Sequence, residues 1–173
     1  MAHQLITHAE LLARLHYDPA TGVWTWLPSV NRTKAWNSHY AGKRAGSVGN
    51  GGYRCVRIDK NPYQSCRLAW FYMTGVWLPA GRVDHENRVR DDDRWSNLRE
   101  ATKTQQNANR GLLKSSQSGI KGATFRRGHW EVNITVAGKC IYLGQFSTVE
   151  EAASAYRKAA TDMFGEFANH GPR

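Results

Sequence analysis

The chain has 173 residues, and its 24 Lys and Arg against 14 Asp and Glu give a formal net charge of +10. With 40% hydrophobic and 11% aromatic residues, a largely disordered chain is excluded, and one ordinary domain or two small ones can be built. The excess of positive charge favours a polyanionic partner, because each neutralised phosphate releases counterions. No apolar run approaches 18 residues, so we expect no membrane-spanning helix.

The cysteines indicate the compartment. Cys55, Cys66 and Cys140 are odd in number, widely spaced and without a C-x-x-C pair, which argues against a disulfide framework or a zinc knuckle. Residues 1–8 lack the basic and apolar regions of a signal peptide. We therefore expect an intracellular, cytoplasmic protein, with a bacterial cell as host.

Short helices and strands are predicted along the first 80 residues. Thr7 and Glu10 have the spacing of a capping box, which predicts a helix to about His16. A turn at 18–22 leads to a strand at 23–26, whereas 31–40 has no clear period and is predicted to be a loop. The next expected elements are a glycine-rich loop at 46–52, a strand at 53–58 and a helix at 64–74 that ends at Gly75.

The pattern changes after residue 110. Residues 111–117 are short, Ser-rich and aperiodic, which is typical of a linker, so domains at 1–110 and 118–173 are predicted. Three strands are expected at 120–125, 130–136 and 139–143, with turns at 128 and 137–138. A capping box over 147–150 predicts a helix that continues to about Phe164 and ends at Gly165. The second domain is thus a three-stranded antiparallel sheet packed on one helix, and the fold class is α+β.

Residues 83–110 contain the side chains that phosphodiester hydrolysis needs. The reaction requires a base for water and a cation that offsets charge on the phosphate. His85 is a base usable near neutral pH, and Asp84 offers a hard oxygen ligand. Because neighbouring strand residues point to opposite faces, the two converge only at a strand end or on a distorted backbone. An isolated Asp-His pair is more often a surface turn, and 88–94 could equally be a solvated loop.

The whole stretch resembles the HNH motif of phage and intron homing endonucleases. The resemblance covers about residues 8–110 and is carried by 17–22, 41–46, 67–70, 84–85, 97–102 and 105–110. It implies an N-terminal ββα-metal fold that hydrolyses DNA. It also implies that His85 is the general base, that Asp84 binds one Mg²⁺ or Mn²⁺, and that Asn97 orients the histidine.

Two positions depart from that family. The second metal-binding residue should lie nine residues after Asn97, where this chain has Gln106 followed by Asn107. If Thr102 caps the helix, these two lie about 100° apart around its axis. Gln106 as ligand, Asn107 as ligand, and weak or lost catalysis therefore stay open. Cys66 stands where the family often has histidine, and we interpret it as a small buried residue.

Residues 118 to about 169 resemble the APETALA/ethylene-response-factor type of DNA-binding domain. The similarity is carried by 119–122, 130–134, 141–146, 148–156 and 159–160. Alternation places Trp130, Val132 and Ile134 towards the helix, together with Ile141 and Leu143 of the next strand. This leaves a polar face wide enough for a major groove. The residues expected to contact DNA are Lys121, Thr124, Arg126, Arg127, Asn133, Lys139 and Tyr142. A plain charged hairpin tip is the alternative for the two arginines.

These observations predict a metal-dependent, site-selective DNA endonuclease, with double-stranded DNA as its partner and no protein partner implied. A monomer would nick one strand, and a duplex break would need two cuts or a dimer. One alternative is a DNA-binding or regulatory protein whose nuclease centre has decayed. Another is an RNA-binding protein that uses the basic surface.

Overall fold

The computed structural model describes residues 6–79, 82–112, 116 and 118–170. Contacts divide the chain into two units, Met1–Glu100 and Ala101–Arg173. Helices and strands are mixed in both units, and the strands of the described ranges form four small antiparallel sheets. Within these ranges, no helix is long and apolar enough to cross a bilayer.

The first unit combines three short helices with three of the sheets. The elements in chain order are α1 His8–Arg14, β1 Leu15–Asp18, β2 Val23–Trp26, α2 Lys34–Tyr40, β3 Ser47–Val48, β4 Arg54–Ile58, β5 Asn61–Gln64, α3 Ser65–Thr74, β6 Val83–His85, a 3₁₀ turn Trp95–Asn97 and β7 Leu98–Glu100. Strands β1 and β2 pair, β3, β4 and β5 form a meander, and β6 pairs with β7.

The predicted start of α1 is confirmed, but its predicted end at His16 is wrong. Thr7 and Glu10 form both bonds of the capping box. The helix stops at Arg14 because Leu15 is extended and begins β1, whose residues pair with β2. Leucine spacing fits a helix face at this point, and the pairing with β2 overrides it.

One further prediction for the first unit is corrected, and strands β3 and β5 lie where no strand was predicted. The region 31–40, predicted to be a loop, contains α2, which Thr33 caps through the backbone N–H of Trp36. None of the residues of α2 is buried, so the sequence shows no apolar periodicity there. Ring contacts of Trp36 with Trp26 and Tyr40 stabilise the helix. The helix predicted at 64–74 is confirmed as α3, which ends at Gly75 with a positive φ of 71°.

The second unit contains the predicted sheet and helix. Its elements are α4 Lys103–Asn109, β8 Ala123–Arg126, β9 His129–Val136, β10 Lys139–Phe146, α5 Val149–Phe164 and a 3₁₀ turn Gly165–Phe167. The sheet order is β10-β9-β8, and both hairpins close with two residues of positive φ, at 127–128 and 137–138. Such turns match the twist of paired strands, which is why adjacent strands pair here.

Strand alternation predicts the core of this sheet correctly, with one departure. Val132 and Ile134 are buried against Ala152, Tyr156 and Ala160 of α5. Ile141, predicted to pack on the helix, is 37% exposed. It pairs opposite Ile134 and so lies on the helix side of the sheet, but β10 is an edge strand, which leaves it partly open to solvent. The bulge between Tyr142 and Gly144 lies beyond it.

The start of α5 differs by one residue from the prediction, and its end agrees with the prediction. The capping box is formed by Thr148 and Glu151, one position later than predicted, and the helix ends at Phe164 before Gly165 as expected. The predicted linker falls largely outside the described residues. Ala101 and Ala108 pack with Phe167, so contacts group α4 with the second unit. A functional division at residue 110 stays a prediction.

Candidate functional site

The hairpin of β6 and β7 places Asp84 and His85 on different faces. Asp84 pairs with Arg99 across the hairpin, and His85 pairs with Leu98, which belongs to the core of the first unit. His85 therefore faces that core, and Asp84 faces away from it. His85 is also the last residue of β6. A strand end is one of the two places where the sequence predicts that the side chains of Asp84 and His85 can converge.

A buried carboxylate holds the imidazole of His85. Nε2 of His85 lies 2.9 Å from Oδ1 of Asp93, and the two residues are 5% and 2% exposed. An ionised carboxylate can only accept, so the neutral imidazole carries its proton on Nε2 and its lone pair on Nδ1. This tautomer leaves Nδ1 as the basic nitrogen. Asp93 is a site residue that the sequence analysis did not name.

The position of Asp93 is set by residues far away in the chain. The hydroxyl of Tyr17 donates to the backbone oxygen of Asp93 at 2.6 Å. A Cβ atom on Gly22 would lie 2.5 Å from the carbonyl carbon of Asp93, so the two backbones meet where only glycine fits. The backbone N–H of Trp95 donates to the carbonyl of Pro19 at 2.9 Å. The turn between β1 and β2 thus clamps the loop that carries the carboxylate.

Asn97 braces the loop that follows His85. Its side-chain oxygen accepts from the backbone N–H of Asn87 at 2.9 Å, and its Nδ2 donates to the backbone oxygen of Asp92 at 2.7 Å. Its carbonyl accepts from the N–H of Glu86 at 3.0 Å. These bonds fix the backbone on both sides of the loop. A direct role of Asn97 in orienting the imidazole stays a prediction.

The same loop carries an ion pair near its end. The guanidinium of Arg94 donates twice to the carboxylate of Asp92, at 2.7 and 2.6 Å. This pair, with a further hydrogen bond from Asn87, holds the pKa of Asp92 at about 2. Asp92 is therefore ionised at neutral pH and helps to close the loop around Asp93.

Asp84 has the chemistry of a ligand for a hard cation. Its carboxylate is nearly buried, and Oδ2 lies 3.1 Å from Nε of Arg99. A carboxylate fixed in this way offers the oxygen that Mg²⁺ or Mn²⁺ prefers, and the neighbouring guanidinium limits the charge that accumulates there. The carboxylate of Asp84 is therefore a suitable ligand for the predicted divalent metal. It would keep its contact with Arg99 while it binds the metal.

Helix α4 carries the two candidates for the second metal ligand. Thr102 and Gln105 form the expected capping box, which confirms the predicted helical register. Gln106 and Asn107 therefore project about 100° apart. Gln106 is half-buried and Asn107 is exposed. Both belong to the second unit, whereas Asp84 belongs to the first, and the choice between them stays open.

Cys66 is the small buried residue that the sequence predicts. It lies in the first turn of α3, is 4% exposed and is a free thiol, as are Cys55 and Cys140. Burial, reinforced by the charge of Asp93, raises the pKa of its thiol to about 12. Cys66, His85 and Asp93 each offer one ligand atom, and these atoms all lie within 4.8 Å of one another.

The sheet of the second unit has an open polar face opposite α5. Register places Thr124 beside Glu131, Asn133 beside Tyr142 and Arg126 beside His129. Residues at positions 129, 131, 133 and 135 share one face of β9 because the other face carries Val132 and Ile134. Arg127 lies at the tip of the β8–β9 hairpin, where it is exposed. Five of the predicted DNA contacts thus lie on this face or at its edge.

The two predicted lysine contacts lie elsewhere. The ammonium of Lys121 donates to the carbonyls of Asn107, Ala108 and Arg110, at 3.2, 2.5 and 2.8 Å. It therefore caps the end of α4 rather than projecting from the sheet. Lys139 pairs opposite Val136, so alternation puts it on the helix side of the sheet, at its edge.

Comparisons with known proteins found one family model and several short matches. The family model of HNH endonucleases matches residues 66–108. A stretch of 54 residues, 30% of the chain, is 44% identical to the AP2-like ethylene-responsive transcription factor TOE2 of Arabidopsis thaliana and to APETALA2-like protein 2 of Oryza sativa, subspecies indica and japonica. That stretch is only 11% to 12% of the length of these relatives. No solved structure matches the chain.

These matches support two statements. The segment with α3, β6 and β7 carries an HNH endonuclease motif, which indicates nuclease activity at the level of the family. The other is that a stretch of 54 residues is similar to AP2-like proteins, among them one described as a transcription factor. The residue that sequence reasoning missed is Asp93. Its only sequence signal was a third consecutive aspartate in 91–93, of which it alone is buried.

Proposed function

We propose that this chain is a metal-dependent DNA endonuclease of the HNH homing type, which cuts one strand per catalytic act. The observation that carries the proposal is the hydrogen bond between the buried side chains of His85 and Asp93, inside the segment that matches HNH endonucleases. A histidine with one nitrogen fixed by a carboxylate is prepared to accept a proton at the other nitrogen. The open face of the second unit would position the DNA.

The proposed reaction begins at Nδ1 of His85. This nitrogen takes a proton from a water molecule, and the resulting hydroxide attacks phosphorus in line with the bond to the 3′ oxygen. That bond breaks, the departing 3′ oxygen takes a proton from solvent water, and the products carry a 5′ phosphate and a 3′ hydroxyl. Asp93 stabilises the imidazolium that forms, because its carboxylate faces Nε2–H.

Asp84 would hold a divalent Mg²⁺ or Mn²⁺, and the resemblance to HNH nucleases implies a second ligand at Gln106 or Asn107. When bound, such a cation offsets negative charge on the phosphate and on the departing oxygen. Arg99 keeps the carboxylate of Asp84 in place through its Nε–H.

The direct test is cleavage of supercoiled plasmid that contains the genomic neighbourhood of the gene. Wild type with Mg²⁺ or Mn²⁺ should convert it to open circle, EDTA should stop the reaction, and His85→Ala should lose at least about 100-fold in rate. His16→Ala is the matched control, because His16 is an exposed histidine of the same unit. Equal nicking by wild type and His85→Ala would contradict the proposal.

A second candidate is a DNA-binding protein that no longer cuts. Gln106 favours it, because this position carries asparagine or histidine in the HNH family that the sequence resembles. The outcome that distinguishes it is a wild type that binds the plasmid in a salt-sensitive manner and leaves it supercoiled with either metal. Gln106→Asn should then restore nicking if this side chain alone is responsible.

A further inference from the structure

Cys66, His85 and Asp93 form a buried group of three side chains that can each bind a metal ion, and the proposed cleavage reaction uses only two of them. The three residues come from α3, from the end of β6 and from the loop before β7, and each is at least 95% buried. Their ligand atoms all lie within 4.8 Å of one another. Cleavage needs the contact between histidine and carboxylate, but it gives the thiol no role.

One atom of this group points to a missing ligand. Oδ2 of Asp93 is buried and has no hydrogen-bond partner among the described residues. A desolvated carboxylate oxygen without a partner is costly, and the cost falls if a cation binds it. The neighbouring thiol is neutral in the metal-free protein, because burial raises the pKa of Cys66 to about 12. A metal that displaces this proton would gain a thiolate ligand.

The distances fit a tetrahedral zinc ion. Bonds of about 2.0–2.1 Å to nitrogen and oxygen place two such ligands about 3.3 Å apart, and a bond of about 2.3 Å to sulfur places it about 3.6 Å from them. Nε2 of His85 and Oδ1 of Asp93 are 2.9 Å apart and need to separate by only about 0.4 Å. The sulfur of Cys66 needs to approach them by about 1.2 Å at most, because it already lies within 4.8 Å.

We propose that Cys66, His85 and Asp93 form a binding site for Zn²⁺ or a similar thiophilic cation, and that its occupation switches off His85 as a base. The thiol proton leaves to solvent, and the metal replaces the proton on Nε2. The imidazole proton then resides on Nδ1, and a protonated Nδ1 cannot take a proton from water. Mg²⁺ does not compete, because it prefers oxygen ligands to a thiolate.

Metal binding is tested with Co²⁺ on the full chain. Wild type should show, at one equivalent, the near-ultraviolet thiolate-to-cobalt charge-transfer band and the visible bands of tetrahedral Co²⁺, and one equivalent of Zn²⁺ should remove both. Cys66→Ala should lose the charge-transfer band and weaken Zn²⁺ binding at least about 100-fold. Cys55→Ala and Cys140→Ala are the matched controls and should keep both properties. Thermal unfolding establishes that each variant is folded.

Three spectral results would overturn the proposal. They are a wild type without the charge-transfer band, a band that survives in folded Cys66→Ala, and a band that disappears in Cys55→Ala or Cys140→Ala. Asp93→Asn is a second variant that keeps the shape of the side chain. It should weaken Zn²⁺ binding while the thiolate band persists at higher Co²⁺ concentration.

The inhibitory effect rests on the proposed function and has its own readout. The ratio of nicking rates without and with Zn²⁺, at constant Mg²⁺, should be at least about 10 in wild type and near 1 in Cys66→Ala, at Zn²⁺ concentrations that displace Co²⁺. Equal ratios in the two proteins would refute the switch. If wild type never nicks, the proposed function fails, whereas the cobalt spectrum still decides whether the metal site exists.

Discussion

Replacing Asp93 with asparagine tests whether a buried carboxylate sets the tautomer of His85. Oδ1 of Asp93 lies 2.9 Å from Nε2 of His85, and an ionised carboxylate there can only accept a hydrogen bond. Asparagine has nearly the same shape, but its Nδ2 can donate to Nε2. The imidazole proton then moves to Nδ1, and the base that cleavage requires is lost.

The expected effect on rate is large. A positioned general base contributes about 10²–10⁴-fold, which corresponds to about 2.7–5.4 kcal/mol of barrier. A histidine locked in the wrong tautomer forfeits most of that contribution, so Asp93→Asn should approach the rate of His85→Ala. The effect on stability should be small by comparison. Asp93 has a buried oxygen without a hydrogen-bond partner among the described residues, and asparagine removes the charge whose burial is costly.

The assay combines three readings on the same protein. Single-turnover nicking gives the rate and its pH profile, ¹⁵N NMR of the imidazole gives the tautomer, and thermal unfolding gives the Tm. Asp91→Asn is the matched control, because Asp91 is an exposed aspartate of the same run. The reasoning is refuted if Asp93→Asn nicks within about threefold of wild type. It is also refuted if the rate falls while the tautomer is unchanged.

Two other predictions concern backbone packing and DNA contact. Gly22→Ala should destabilise the first unit by more than about 1–2 kcal/mol and slow nicking, because a Cβ at its φ of 70° would meet the carbonyl carbon of Asp93 at 2.5 Å. Gly42→Ala is the control, because Gly42 has a similar φ of 76° but open space around it. It should lose only the stability that backbone strain costs, and equal falls in Tm for the two variants would contradict the reasoning. Replacing both Arg126 and Arg127 with alanine should lower the salt dependence of duplex binding by up to about 1.8 in log–log slope, and an unchanged slope would remove them from the contact.

Local signals predicted much of the second unit and the edges of several helices. Capping residues, positive-φ glycines and strand alternation act over three or four residues, so they are visible in sequence. They gave the α3 end at Gly75, the α4 register from Thr102 and the burial of Val132 and Ile134. Elements without such a signal were missed. Helix α2 buries nothing, and Ile141 is exposed because β10 is an edge strand, which the alternation within that strand does not reveal.

The contacts of the candidate site depend on a longer range than any motif. The bond between His85 and Asp93 spans eight residues, but the position of Asp93 depends on Tyr17 and Gly22, more than 70 residues away. The helix that carries Cys66 begins at Ser65, whose hydroxyl accepts from the indole N–H of buried Trp24. A periodicity argument cannot find such contacts, because they exist only once the first unit is packed.

This dependence changes what the family match implies about the working part of the chain. Residues 66–108 contain the chemical groups, but three residues that hold this segment in place lie outside it. Tyr17 and Gly22 meet the backbone of Asp93, and the indole N–H of Trp24 donates to the hydroxyl of Ser65. The core that supports β6 and β7 likewise extends from Ile6 to Leu98. Because a misplacement of about 1 Å can cost a positioned group about 100-fold in rate, the proposed reaction depends on these N-terminal residues through packing alone. The matched segment therefore has the right residues but not the structure that orients them.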